Sequence, residues 1–217
     1  MFNPNTGKRI HLTHGAGNGV DKACLMTASN MLIGRGEEGD NNSCVCPVIR
    51  AFIIPTNDAI PERILGELYG PLAWEILGTA TGDPGIERQR AFRLADWAVR
   101  EIVPIALRAA GLDKQAAKLE ELPAVVDYAT ADAAADAADA ADAADYAVRA
   151  DPADNAADPA ARAARAAAYA ARATDADAAE TVWRKCPEVI REVAAIGDRR
   201  PVETVIDHCT LADALAN

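Results

Sequence analysis

The chain has 217 residues, half of them hydrophobic but only 5% aromatic, with 33 Asp+Glu against 22 Lys+Arg. That length allows one large or two small domains, and the acidic balance argues against nonspecific binding to nucleic acid or to an anionic membrane surface. No stretch approaches the ~18 apolar residues of a membrane span, and the start lacks a charged-then-apolar leader, so a cytoplasmic protein is expected.

Residues 1–20, MFNPNTGKRIHLTHGAGNGV, are rich in Gly and Asn and predict turns or a short hairpin. Asp21 suits the N-cap of a first helix reaching about Ile33, with Ala23, Met26, Met31 and Leu32 available for burial. After a loop at 34–43, Pro47 opens a second helix, since its fixed φ and missing N–H suit a first turn. Pro55 is expected to kink or end it. PERILGELYG and PLAWEILG predict two short helices, each opened by a proline (Pro61, Pro71) and closed by a glycine (Gly70, Gly78). The strongest helical pattern runs from about Asp83 to Ala110, with Phe92, Val99, Ile102, Val103 and Leu107 at helical spacings and a bend expected at Pro104. Gly111 closes it, and LDKQAAKLEELP predicts one more helix.

After Pro123 the composition changes: 27 of the 50 residues from Ala124 to Ala173 are Ala, the best helix former because it loses no side-chain entropy. Two Ala-rich helices, roughly 124–150 and 159–173, are expected to meet at DPADNAADP, and a last helix near 176–196 carries Val182, Trp183, Val189, Ile190 and Val193 to clamp them. No convincing strand is present. The reading is an all-α multi-helix bundle: an N-terminal helical module over 1–122, then an Ala-rich hairpin and C-terminal helix over 123–217, packed as one unit. Small Ala faces also favour homo-oligomers, because they let helices approach closely.

Asp132, Asp136, Asp139, Asp142 and Asp145 recur every three or four residues, so at about 3.6 residues per turn the acidic stripe drifts around its helix. Its plain reading is a solvated face that pairs with Arg162, Arg165 and Arg172 of the next helix. A second reading is DNA mimicry, since a ~4.5 Å rise per carboxylate approximates the ~3.4 Å phosphate spacing of one strand. Either way the stripe is a candidate partner-binding surface.

Five cysteines, an odd number, fit a reducing compartment better than a disulfide framework. His11, His14, Cys24, Cys44 and Cys46 could supply zinc ligands, but C-x-C lacks the wider gap usual in zinc pairs. Cys24 also lies beside Leu25 and Met26 within the expected helix, where a free thiol packs as a small hydrophobe. Neither metal nor cofactor is expected. GAGNG at 15–19 leads into a helix start, where an anion can sit, but it has neither the dinucleotide fingerprint nor a Walker lysine.

One polar set could form a ligand pocket. Arg50 and Asn57 or Asp58 share a face if the second helix is continuous, and Arg93, Asp96 and Arg100, beside Trp97, fall at i, i+3 and i+7. Their plain reading is surface ion pairs; their functional reading is a cleft whose arginines bind an anion. With three His and no legible nucleophile–base pairing, a non-catalytic protein is expected.

ACLM at 23–26, CVCPVIRAF at 44–52, ND at 57–58 and RLADWAVREIVPIALRAAGL at 93–112 resemble an uncharacterised helical family of actinobacteria and their phages. The Ala-rich tail is similar to immunity-protein families of polymorphic toxin systems. Pro55 departs from the first family's pattern. The resemblance implies an immunity or anti-defence role but supplies no activity. The expected function is therefore a binding inhibitor that sequesters a protein partner or a small anionic signal, without direct nucleic-acid or membrane binding. The alternatives are an acidic DNA mimic and an enzyme acting on an anionic small molecule through the polar set.

Overall fold

The computed structural model describes residues 9–15, 17–18, 20–34, 39–139, 163–164, 166–168, 170–172 and 176–199, and of 135–139 the backbone only. These residues are mostly helical, as expected of an all-α protein. The exception is one parallel pair, β1 (His11–Leu12) and β2 (Lys22–Ala23), in the register His11↔Lys22 and Leu12↔Ala23. It stands where a hairpin was expected. The reason is Asn18, whose Oδ1 accepts the backbone N–H groups of Val20, Asp21 and Lys22 at 3.1, 3.2 and 2.9 Å. That turn brings the chain back alongside β1 in the same direction. It also keeps Asp21 out of the N-cap position, which falls to Cys24.

The helices are α1 (Leu25–Leu32), α2 (Pro47–Ala59), α3 (Glu62–Tyr69), α4 (Leu72–Glu75) and α5 (Pro84–Trp97). Beyond a π segment, Ala98–Ile102, lie α6 (Val103–Ala109), α7 (Asp113–Glu120) and α8 (Tyr128–Asp139). Helical Ala-rich residues follow within 163–172, and α9 spans Ala176–Ala195. None of the described helices is long and apolar enough to cross a membrane.

Pro55 neither ends nor splits α2, which continues to Ala59. Thr56 supports this turn by donating its hydroxyl to the Phe52 and Ile53 carbonyls. At Pro104 the ladder does change. Proline has no N–H for the carbonyl four residues back, and the preceding turn widens so that the Val103 N–H reaches the Ala98 carbonyl. The long helix is thus three pieces, begun by the Asp83 carboxylate on the Gly85 N–H at 2.7 Å. It ends in a Schellman turn: Gly111 N–H on Arg108 O at 2.9 Å and Leu112 N–H on Leu107 O at 2.8 Å. The next helix, α8, starts four residues later than expected, because Asp127 accepts the Thr130 N–H at 2.8 Å as its cap. Just before it, buried Val125 donates its N–H to Asp96 at 3.0 Å.

α1 is buried nearly all round, including Thr27, Ser29 and Asn30, and packs on α2 and α4. The main core joins α1–α5 to α9 through Val182, Trp183, Cys186, Val189, Ile190 and Val193, and to six buried alanines between Ala163 and Ala171. Those alanine faces are therefore used within the chain. A smaller core joins Val99, Val103 and Leu107 to Ala116, Leu119, Val125 and Ala134.

Two rails of charge flank the apolar stripe of α9. Arg63–Glu180 (3.2 Å), Arg184–Glu67 (3.0 Å) and Arg191–Glu75 (2.6 Å) face α3 and α4. Lys185–Glu101 (3.3 Å) and Arg93–Glu192 face α5 and the π segment. Exposed pairs of this kind contribute about 0–1 kcal/mol each, so they orient α9 more than they hold it.

Arg90 holds it. This arginine is 0% exposed and donates to the carbonyls of Thr79, Val193 (3.1 Å) and Ile196 (2.7 Å). A buried cation without hydrogen bonds would be costly; here the C-terminal end of α9 supplies both carbonyl acceptors and a favourable dipole. Arg90→Met keeps the apolar stem but removes every donor. It should lower the unfolding free energy in urea by about 2–4 kcal/mol. A loss below about 1 kcal/mol would show that the clamp contributes little.

Candidate functional site

A cleft forms where the end of α2 meets the start of α1. Cys24 caps α1, its Sγ accepting the Thr27 N–H at 3.4 Å, so it is an N-cap and not a mid-helix residue. Asn57, 1% exposed, accepts the Leu25 N–H at 3.1 Å and donates to the Thr13 carbonyl (3.1 Å) and to Asp58 Oδ1 (3.2 Å). One amide thereby fixes α1, α2 and the strand-to-loop segment together. Asp58 accepts the Gly15 N–H at 3.0 Å, and His14 Nε2–H donates to the Ile60 carbonyl at 2.7 Å. The loop closes this tightly because Gly17, at φ +78°, leaves room for the Lys22 carbonyl, with which any Cβ would collide.

Leu25, Met26, Ile53 and Ile54 form the apolar floor of the cleft. Gly15, Cys24, Asp40, Asn57 and Asp58 form its rim, and no Lys, Arg or His is among its described lining residues. Its free volume is about 40 Å³, room for a few atoms where one water occupies ~10–15 Å³. Burial raises the Cys24 thiol above its ordinary value near 9, outweighing the Thr27 hydrogen bonds that lower it, and nearby Asp40 adds to the rise. At neutral pH the sulfur is a thiol, bonded to Thr27 Oγ1 (3.3 Å) and directed at Asp40 Oδ1 (3.6 Å).

Of the seven polar residues suggested by sequence, only Asn57 and Asp58 line this cleft. Arg50 lies elsewhere, on Asn41 Oδ1 at 3.1 Å. Trp97 is buried edge-on against Phe52, with ring centroids 5.5 Å apart. Arg93, Asp96 and Arg100 belong to the network under α9. Asp96 accepts Arg100 at 3.0 Å and the Val125 N–H, and lies 3.5 Å from Arg93. Arg93 also binds Glu101 at 3.0 Å and Glu192 at 2.9 Å. Burial works against the Arg93 charge, but Glu192 and Glu101 outweigh it and hold the guanidinium above its ordinary pKa. Arg93 and Arg100 are thus already paired with carboxylates, whereas Arg50 meets the neutral amide of Asn41.

Asp132 is exposed on α8; the side chains of Asp136 and Asp139, and the whole of Asp142 and Asp145, lie outside the described residues, as do Arg162, Arg165 and the DPADNAADP turn. Arg172 is exposed.

Cys24, Cys46 and Cys186 are free and buried in the core, as packing groups are, and Cys44 departs from that pattern. Cys44 is disulfide-bonded, which removes the cysteine-count argument for a reducing compartment. Cys46 is the buried N-cap of α2 and bonds through its N–H to Thr79 Oγ1 at 3.0 Å. Cys186 is buried among apolar groups that push its thiol pKa far up. His11 is an exposed strand residue. Among the described residues no group of three or more His, Cys, Asp or Glu is placed to hold a metal.

Asp40 was missed by sequence reasoning because its loop carries no periodicity. Asn57 did carry a signal, as a single amide at the end of an otherwise apolar helix. No family model, curated protein or solved structure matches the chain.

The chemistry of Cys24 is directly testable. In the native protein its alkylation by iodoacetamide should be slow at pH 7 and rise about tenfold per pH unit to beyond the ordinary thiol value of 9.0. Fast alkylation at pH 7, followed by peptide mass spectrometry, would contradict a buried protonated thiol.

Proposed function

We propose that the chain is a non-catalytic binding protein of immunity or anti-defence type that holds a basic partner protein against the acid-rimmed cleft. The supporting observation is how its polar groups are committed. Arg93 and Arg100 are taken up by Asp96, Glu101 and Glu192, so a small anionic signal would have to displace existing ion pairs there. Asp40 and Asp58 each keep one carboxylate oxygen without a protein partner among the described residues.

Catalysis finds less support. Cys24 faces Asp40, but burial holds it as a thiol, and His14 is bound to a carbonyl and does not pair with it. The DNA-mimic reading gains nothing from Asp132 alone. The net charge of −11 favours fast, salt-sensitive capture of a basic protein.

Fluorescence anisotropy with labelled lysine-rich and glutamate-rich peptides tests this. The basic peptide should bind, weaken as salt rises, and return with unchanged mass. Preferential binding of the acidic peptide, or of a nucleotide, or recovery of a chemically altered ligand, would refute the proposal.

A further inference from the structure

Cys44 is disulfide-bonded, while Cys24, Cys46 and Cys186 are free and buried. The chain has five cysteines. One candidate partner within the chain therefore remains, Cys209, which lies outside the described residues. We infer that Cys44 and Cys209 form a disulfide that ties the end of the chain to the start of α2. The count of cysteines assigns Cys209, and the described residues define the anchor at Cys44.

Cys44 stands close to the carbonyls that Arg90 binds. Its N–H donates to buried Asn42 Oδ1 at 2.9 Å, and its carbonyl accepts the Ala80 N–H at 3.2 Å. Two residues on, Cys46 caps α2 and donates its N–H to Thr79 Oγ1. The Thr79 carbonyl takes Arg90, and so does the Ile196 carbonyl just past α9. The end of α9 is thus only a few hydrogen bonds from Cys44. The 13 residues from Gly197 to Cys209 can span about 40 Å when extended, so chain length does not prevent the bridge.

The free cysteines are poorly suited to displace it. Exchange needs a thiolate with access to a disulfide sulfur, and Cys44 is only 4% exposed. Burial raises the thiol pKa of both Cys24 and Cys186, which keeps them protonated. Their sulfurs are also engaged. Cys24 Sγ serves Thr27 at the start of α1, and the Cys186 thiol donates to the Val182 carbonyl within α9.

The bridge forms by exchange with a small-molecule disulfide such as oxidised glutathione. One cysteine thiolate attacks it and expels a thiol, and the other then displaces the second thiol from the mixed disulfide. The protein loses two electrons and two protons, and the small disulfide becomes two thiols. Closing so long a stretch of chain restricts the unfolded state strongly. Reduction should therefore lower the melting temperature by roughly 10 °C.

The test is tryptic peptide mapping of the full chain, equilibrated in a glutathione redox buffer and alkylated with iodoacetamide in denaturant. Peptide 36–50, which holds both Cys44 and Cys46, should be linked to peptide 200–217. Fragmentation should place the link on Cys44 and an alkyl group on Cys46, with Cys24 and Cys186 alkylated as well. Five alkylated cysteines, a link from Cys44 to Cys24, Cys46, Cys186 or glutathione, or a covalent dimer would each overturn the inference. In thermal melts, reductant should destabilise the wild-type chain and leave Cys209→Ser unmoved. No shift in the wild type, or an equal shift in the variant, would overturn it as well.

Discussion

A guanidinium at the centre of the molecule, bound by carbonyls and by no carboxylate among the described residues, sets the positions of the surrounding elements. Arg90 reaches Thr79 on one side and the end of α9 on the other. Thr79 in turn accepts the Cys46 N–H at the start of α2 and donates to the Ile76 carbonyl at 2.6 Å. One buried side chain thereby links the start of α2, the turn after α4, α5 and the last turn of α9. A planar fork of donors suits this task better than a flexible ammonium, because its geometry is set in advance.

The consequence reaches the cleft. α2 is 13 residues long, about 20 Å at 1.5 Å per residue, and carries Cys46 at one end and Asn57 and Asp58 at the other. Fixing its start at Thr79 fixes its phase, and that phase buries Asn57 toward α1 while leaving Asp58 exposed. Asn57 then holds the Leu25 N–H and the Thr13 carbonyl, and the Gly-rich loop folds over the end of the helix. The cleft is a product of helix ends meeting, so its polar groups are backbone amides and their caps more than a dedicated cluster of side chains. The ion-pair network under α9 does different work: it matches charges along a helix already seated by its apolar stripe.

Much of the helical plan was legible in the sequence, because prolines and glycines act locally. Pro47, Pro61, Pro71, Pro84 and Gly111 stand at helix boundaries for reasons contained in their own backbone chemistry. What was illegible depended on competition or on distance. Asp21 is a sound cap by type, but Asn18 gathers the neighbouring N–H groups first and moves the helix start to Cys24. Pro104 announced a disturbance without saying that it would take the form of a π turn. Arg90, inside ERQRAFR, has the look of a surface charge, since nothing local reveals carbonyls contributed from more than a hundred residues away. Periodicity placed Arg93, Asp96 and Arg100 on one side of a helix correctly, but it could not show that Glu192 and Glu101 would meet them there.

The Arg90 clamp makes α9 and the α1–α5 core one cooperative unit. Native-state hydrogen exchange measures this directly, by comparing Val189, Ile190 and Val193 in α9 with Ile49, Phe52 and Ile53 in α2. One opening free energy is predicted for both sets, equal to that of global unfolding. Release of the α9 amides at a distinctly lower free energy, with the α2 amides still protected, would contradict it.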